Sequence, residues 1–205
     1  MNDLSNLAGH GHWTFHLSAL MLGLSLAACG GGGGDTASSG TPTNPAAPVN
    51  PANPTDVGGT CDLPNFQQSL LDRINALRAA GADCGTAGVF PAARPLAWNA
   101  SLALAADGHA QDMAAKNYFS HDSLDGRTFT DRINATNYQW SAIGENIAAG
   151  QTSVEAVVTS WRNSPGHCAN LMSAGFADIG VACRPAASSA NTYRTYWVMD
   201  IGRPR

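Results

Sequence analysis

After residue 60 the apolar positions recur at helical spacing in several places. Phe66, Leu70, Ile74 and Leu77 stand four, four and three residues apart, and Gly81 follows as a stop. That pattern predicts a first helix. Leu102, Ala106, His109 and Met113 share one face of a second, which Asn99 can cap and which should run to about Asn117. Thr128 to Asn134, after the Asp125-Gly126 turn, reads as a short third. Thr152-Ser153-Val154-Glu155 has the form of a capping box opening a fourth, with Val154, Val157, Val158 and Trp161 as its buried stripe and Pro165-Gly166 as its end. Strand signals lie between and after these. Ile143 to Ala148 reads as a short strand; Ala177, Ile179, Val181 and Cys183 alternate with polar or small residues; Tyr193, Thr195, Trp197, Met199 and Ile201 alternate again. Arg184 to Asn191 joins the last two runs as a hairpin. Helices followed by an antiparallel sheet make an α+β arrangement.

The first sixty residues carry no such periodicity. Leu17 to Ala28 is an apolar stretch of about twelve residues, too short to span a bilayer at ~20. Small residues close it, as in a signal peptide. Leu26-Ala27-Ala28-Cys29, followed by Gly30 to Gly34, resembles a bacterial lipobox, in which the Cys29 thiol receives a diacylglycerol. The stretch before it holds no Lys or Arg, only His10, His12 and His16, which departs from the usual signal. Residues 30–60 are dominated by Gly, Pro, Ser, Thr and Asn and cannot bury enough apolar surface to fold. The expected organisation is therefore a lipoprotein signal at 1–28, a lipidated Cys29 with a Gly/Pro-rich tether at 29–60, and a folded domain at 61–205. An acyl anchor at Cys29 would hold that domain to a membrane. Gly30 rather than Asp after the cysteine resembles lipoproteins sent on to the outer membrane, on its periplasmic face or at the surface.

Charge changes the picture by exclusion. The chain has a formal net charge of -4, yet all 11 Lys and Arg lie from Arg73 onward. Twelve of the 15 acids lie in the folded part, which leaves it near neutral. Without a basic stripe, nucleic acid is excluded as a partner. Cys29 aside, four cysteines remain: Cys61, Cys84, Cys168 and Cys183. An even number in an exported domain reads as two disulfides, and three pairings exist. Zinc ligation competes, but no CxxC knuckle is present. Local loop closure favours Cys61–Cys84 and Cys168–Cys183.

Several short motifs carry chemistry. In order they are Leu96-Ala97-Trp98-Asn99, His109-Ala110-Gln111-Asp112-Met113, Tyr118-Phe119-Ser120-His121, Gly144-Glu145-Asn146-Ile147-Ala148, Trp161, Ser164-Pro165-Gly166-His167-Cys168, Ile179-Gly180-Val181 and Tyr196-Trp197-Val198. Their order and spacing, over about residues 66–202, resemble the CAP superfamily (cysteine-rich secretory proteins, antigen 5 and pathogenesis-related 1 proteins), also called SCP-like domains, in their bacterial form. The resemblance implies a three-layer α-β-α sandwich with a small antiparallel sheet and a cleft holding two histidines and usually two glutamates. By motif match His121, Glu145 and His167 take three of those positions. Where many members have a glutamate three residues after the tryptophan, this chain has Ser164, and His109 is a weaker candidate to join the cleft.

Two imidazoles and a carboxylate are ligand types that a divalent ion such as zinc takes. Without metal, Glu145 would favour the charged form of a neighbouring imidazole while burial opposed it. Each residue also has a plainer reading: His109 as a core histidine, His121 as a helix-end cation, Glu145 as a backbone acceptor, His167 as a loop residue. Nucleophilic catalysis has little support, since no G-x-S-x-G elbow exists and Ser120 and Ser164 lack an identifiable third partner. The expected function is a membrane-anchored, extracytoplasmic module that binds a lipid or protein ligand through the His/Glu cleft. The alternative is a zinc-dependent hydrolase of peptide or ester bonds with Glu145 as its base.

Overall fold

The computed structural model describes residues 59–205. The signal, the lipobox at Cys29 and most of the tether lie outside the described residues. Helix α1 spans Phe66–Ala80 and ends on Gly81, whose φ of 76° is a conformation glycine adopts at little cost. Two short strands follow, β1 (Ala82–Asp83) and β2 (Val89–Phe90), paired antiparallel around a 3₁₀ turn at Gly85–Ala87. Strand β3 (Ala97–Trp98) leads directly into α2 (Ala100–Lys116). Asn99 caps α2 as its sequence suggests, its Oδ1 accepting from the N–H groups of Ser101 and Leu102. The short α3 (Phe129–Ala135) opens on a reciprocal capping box between Thr128 and Asp131.

Strand β4 (Trp140–Ala149) precedes α4 (Val154–Asn163), and α5 (Pro165–Met172) follows at once. Strands β5 (Asp178–Pro185) and β6 (Thr195–Pro204) complete the chain. The main sheet has the order β3-β5-β6-β4. Its three long strands are antiparallel, but β3 runs parallel to β5, so the sheet is mixed rather than purely antiparallel.

Both faces of the sheet are covered, which gives the three layers. One face packs Ile179, Val181, Trp197, Met199 and Ile201 against Phe66, Leu70 and Ile74 of α1, Trp161 of α4 and Leu171 of α5. The opposite face sets Ile147, Ala182, Tyr196 and Val198 against Ala106, Ala110, Met113 and Ala114 of α2. Alanines on α2 let the helix lie close to the strands. The closest point is Gly180, where an added Cβ would sit 2.0 Å from the Ala103 backbone nitrogen. The helix thereby seals the centre of that face.

Three local expectations are corrected. Pro165 does end α4, but it also stands at the first position of α5, where its missing N–H has no helical partner to lose. The α4 cap is Ser153, whose Oγ accepts from the Ala156 N–H, so the Thr152-to-Glu155 box is not formed; Glu155 pairs instead with Arg73 of α1. The disulfides join Cys61 to Cys183 and Cys84 to Cys168, not Cys61 to Cys84 and Cys168 to Cys183. Loop-closure cost grows only slowly with length, so short loops hold little advantage once the fold brings distant cysteines together. The sequence separations are 122 and 84 residues. Closing loops of that size constrains the unfolded chain by ~4–5 kcal/mol on the entropy model. The first disulfide pins the start of the domain to β5, beside the bridge between Thr60 and Cys183. The second holds the 3₁₀ turn against α5.

Candidate functional site

Glu145 stands in mid-β4, directly across from Asp200 of β6, on the α2 side of the sheet. Its side chain is 1% exposed. A carboxylate taken so far from water must be paired, and both of its oxygens are. Oε1 lies 2.7 Å from His121 Nδ1, and Oε2 accepts from Arg132 Nη2 at 2.7 Å. Arg132 comes from α3 and is itself buried. The same guanidinium donates to the carbonyls of His121 (2.9 Å) and Arg127 (3.1 Å) and to Ser123 Oγ (3.2 Å). One side chain therefore neutralises Glu145 and fixes the loop that carries His121.

The other side of that loop is held by His109. This residue is fully buried on α2, and its Nε2–H donates to the Ser120 carbonyl at 2.8 Å. Burial, opposed in part by the Glu145 charge, lowers the His109 pKa and favours the neutral ring. His109 is thus a core histidine that braces the cleft from behind.

His121 is different. Half of its side chain is exposed, Nδ1 is held by Glu145, and Nε2 is left unengaged. The Glu145 hydrogen bond raises its pKa above the usual histidine value, more than burial lowers it. His167 is the third residue of α5, two after Pro165. Its backbone carbonyl accepts from Asn146 Nδ2 at 3.0 Å, while Asn170 Nδ2 reaches Asn146 Oδ1 at 2.8 Å and the Glu145 carbonyl at 3.3 Å. These bonds staple α5 to β4. Burial, and then the neighbouring His121 charge, lower the His167 pKa. The site therefore holds a cation-favouring imidazole and a neutral-favouring one that feels its charge. Buried Arg78 supports α5 from its far end, donating to the carbonyls of Leu171 and Ser173 at 2.5 and 3.0 Å.

Ser164 is the junction between α4 and α5. Its N–H donates to the Trp161 carbonyl and its own carbonyl accepts from the Cys168 N–H. Its hydroxyl caps neither helix. Arg132, Asn146, Asn170 and Asp200 complete the site and were not read from the sequence. Asp200 alone of these carried a usable signal, a single acidic residue inside an otherwise buried apolar run.

The residues do not fit a zinc centre of three or four protein ligands. Among the described residues no group of three His, Cys, Asp or Glu is placed to hold a metal ion. Both Glu145 oxygens and His109 Nε2 are committed elsewhere. An open groove of about 480 Å³ lies apart from this cleft, between α1 and α4, with Asp72, Arg73, Glu155 and Arg162 on its walls. It holds none of the candidate residues.

With this geometry in hand, likeness to known proteins becomes decisive. The model of the cysteine-rich secretory protein (CAP) family matches residues 71–201. The chain belongs to the CAP family. The uncharacterized protein YkwD of Bacillus subtilis is 39% identical over 88 residues, covering 43% of this chain and 34% of that one. The uncharacterized membrane protein YlbC of the same organism is 36% identical over 86 residues, covering 42% and 25%. The chain thus spans about a third or less of these curated relatives. Among solved structures, an extracellular protein containing an SCP domain from Bacillus anthracis is 31% identical with a TM-score of 0.54, covering 66% of this chain and 39% of its own. An outer surface protein of Borrelia burgdorferi shares the fold at 21% identity and a TM-score of 0.56, covering 67% of this chain and 92% of its own. The CAP α+β sandwich is of the bacterial type.

Proposed function

We propose that this CAP domain is an extracytoplasmic recognition module whose cleft binds a lipid or protein ligand through His121 and His167. The observation that carries the reading is the half-exposed His121 ring, locked at Nδ1 by a carboxylate that Arg132 neutralises, with Nε2 free and its charge felt by a neutral-favouring His167. Such a pair offers one charged donor and one acceptor. It suits a carboxylate, phosphate or hydroxyl on the ligand. Two disulfides and the likeness to an extracellular relative support export to an oxidising compartment. No described helix is long and apolar enough to cross a membrane. Attachment is assigned instead to an acyl chain on Cys29, with residues 29–60 as the tether and the outer membrane as the destination. Cys29→Ala should release the protein from the membrane fraction and abolish labelling by a lipid precursor.

Ligand binding is tested by native mass spectrometry of protein isolated from its own cells and by titration with a fluorescent long-chain fatty acid. The wild type should carry or bind a ligand, and His121→Ala and His167→Ala should each weaken binding by about tenfold or more, which is ~1.4 kcal/mol. Unchanged binding in both variants would remove the cleft from the account. A hydrolase reading would differ from the expected zinc-dependent one with Glu145 as base: both Glu145 oxygens are engaged, and the imidazole of His121, held by Glu145, would be the general base. Neither the Ser120 nor the Ser164 hydroxyl is hydrogen-bonded to His121 or His167. Hydrolysis of peptide or ester substrates that disappears in His121→Ala would favour it.

A further inference from the structure

Asp200 is the one charged residue type in the run Tyr196 to Ile201, and its environment is unusual. The residue is fully buried, and neither carboxyl oxygen meets an N–H or O–H donor among the described residues. Its cross-strand neighbours are Glu145 on β4 and Gly180 on β5. Gly180 has no side chain to offer, and α2 lies so close over it that water has no space on that side. The ionisable group directly opposite Asp200 across the ladder is the buried Glu145 carboxyl. Two ionised carboxylates are both acceptors and cannot bond to each other; an acid and a carboxylate can.

We propose that Asp200 is held as the neutral carboxylic acid and donates its hydroxyl proton to Glu145. Asp200, Glu145 and His121 then form a hydrogen-bonded chain running from the sealed centre of the sheet to the exposed Nε2. In this chain Asp200 is a positioning residue: it presses the Glu145 carboxylate into the orientation that accepts from His121 and Arg132. The charged and titratable groups around it agree with this assignment. Glu145 faces it from β4, Arg132 reaches Glu145 from α3, and His109 of α2 senses both Glu145 and Arg132. Arg132 supplies one positive charge, enough for one buried carboxylate but not two. Burial first, and then the Glu145 charge, push the Asp200 carboxyl well above the usual carboxylate range. The inference extends the recognition reading of the same cleft but does not depend on which ligand, if any, the cleft takes.

The test uses the purified mature protein and two measurements. Infrared spectra of the wild type at pH 7 should show the carbonyl stretch of a protonated carboxylic acid, absent in Asp200→Asn. Absence of that band from the wild type would overturn the proposal without any variant having to fold. Ring-nitrogen NMR then follows the His121 titration. Asparagine keeps an N–H donor toward Glu145 and the same net charge as the neutral acid, so Asp200→Asn should leave the His121 pKa within about 0.3 units of wild type. Asp200→Ala, which removes the donor, should move it by more. If Asp200 were ionised, Asp200→Asn would delete a nearby negative charge and lower the His121 pKa clearly; that result would refute the assignment. Absence of fatty-acid binding by the wild type, with both spectroscopic results as expected, would count against the recognition reading alone.

Discussion

Arg132 offers the sharpest perturbation of the cleft. Its side chain is 3% exposed and its partner Glu145 1%, so the pair is shielded from solvent screening. Arg132→Met keeps most of the side-chain volume but removes the charge and four hydrogen bonds, to Glu145, Ser123 and the carbonyls of His121 and Arg127. Removing one partner of a buried ion pair costs about 3–5 kcal/mol, because the other is left charged and unpaired. For a chain of this size each kcal/mol shifts the melting temperature by ~2–4 °C, so a fall of about 10 °C is expected by calorimetry at pH 7. Glu145→Gln in the Arg132→Met background should recover much of that loss, giving a coupling energy of about 1 kcal/mol or more in a double-mutant cycle. A melting temperature within about 2 °C of wild type, or single losses that simply add, would show that the two groups do not depend on each other.

Other perturbations test the frame around the site. Peptide mapping without reduction should recover Cys61 joined to Cys183 and Cys84 joined to Cys168. Serine at Cys84 and Cys168 together should cost about 2–5 kcal/mol in a denaturant melt, and a Cys61–Cys84 peptide in the wild type would contradict the fold. Gly180→Ala places a methyl where the Ala103 backbone already stands, so a loss of about 1–3 kcal/mol or more is expected; a silent substitution would mean that α2 does not approach β5 so closely. The lowered pKa of His109 makes its contribution acid-sensitive. The folded state binds fewer protons than the unfolded one between the folded value and about 6.5, so this stability is present above pH 6.5 and is lost as pH falls through that window. Urea melts at pH 7.5 and 5 should show the loss in wild type and a smaller one in His109→Gln.

Much of the fold was legible because its elements have strong local rules. The stripes of α1, α2 and α4, the Asn99 cap, Gly81 and the alternation on β5 and β6 all appear in the structure near their expected places. Elements two residues long did not announce themselves: β1, β2 and β3 depend on partners distant in sequence. Helix α5 was hidden because a proline reads equally as the end of one helix and the start of the next. The cysteine pairing was unreadable for a related reason. Loop closure distinguishes short from long spans only weakly, whereas the positions of β5 and α5 decide which thiols meet.

The site divides in the same way. Phe119-Ser120-His121, Gly144-Glu145-Asn146 and Pro165-Gly166-His167 led to the cleft by resemblance, and the structure adds what holds it together. Arg132 lies on a short helix whose stripe gave no hint that a guanidinium turned inward. Asp200 sits on the face of β6 opposite to Trp197, Met199 and Ile201. That strand is buried on both faces. A single acidic residue within such a run was the available signal for a partner across the sheet.

The most direct measurement of the cleft is the pH titration of His121 and His167 ring nitrogens by NMR in the wild type and in Glu145→Gln. His121 should titrate above the usual histidine value of about 6.5 and His167 below it, and Glu145→Gln should bring the His121 value down. Two histidines titrating together near 6.5, unmoved by the loss of the Glu145 charge, would contradict the cleft.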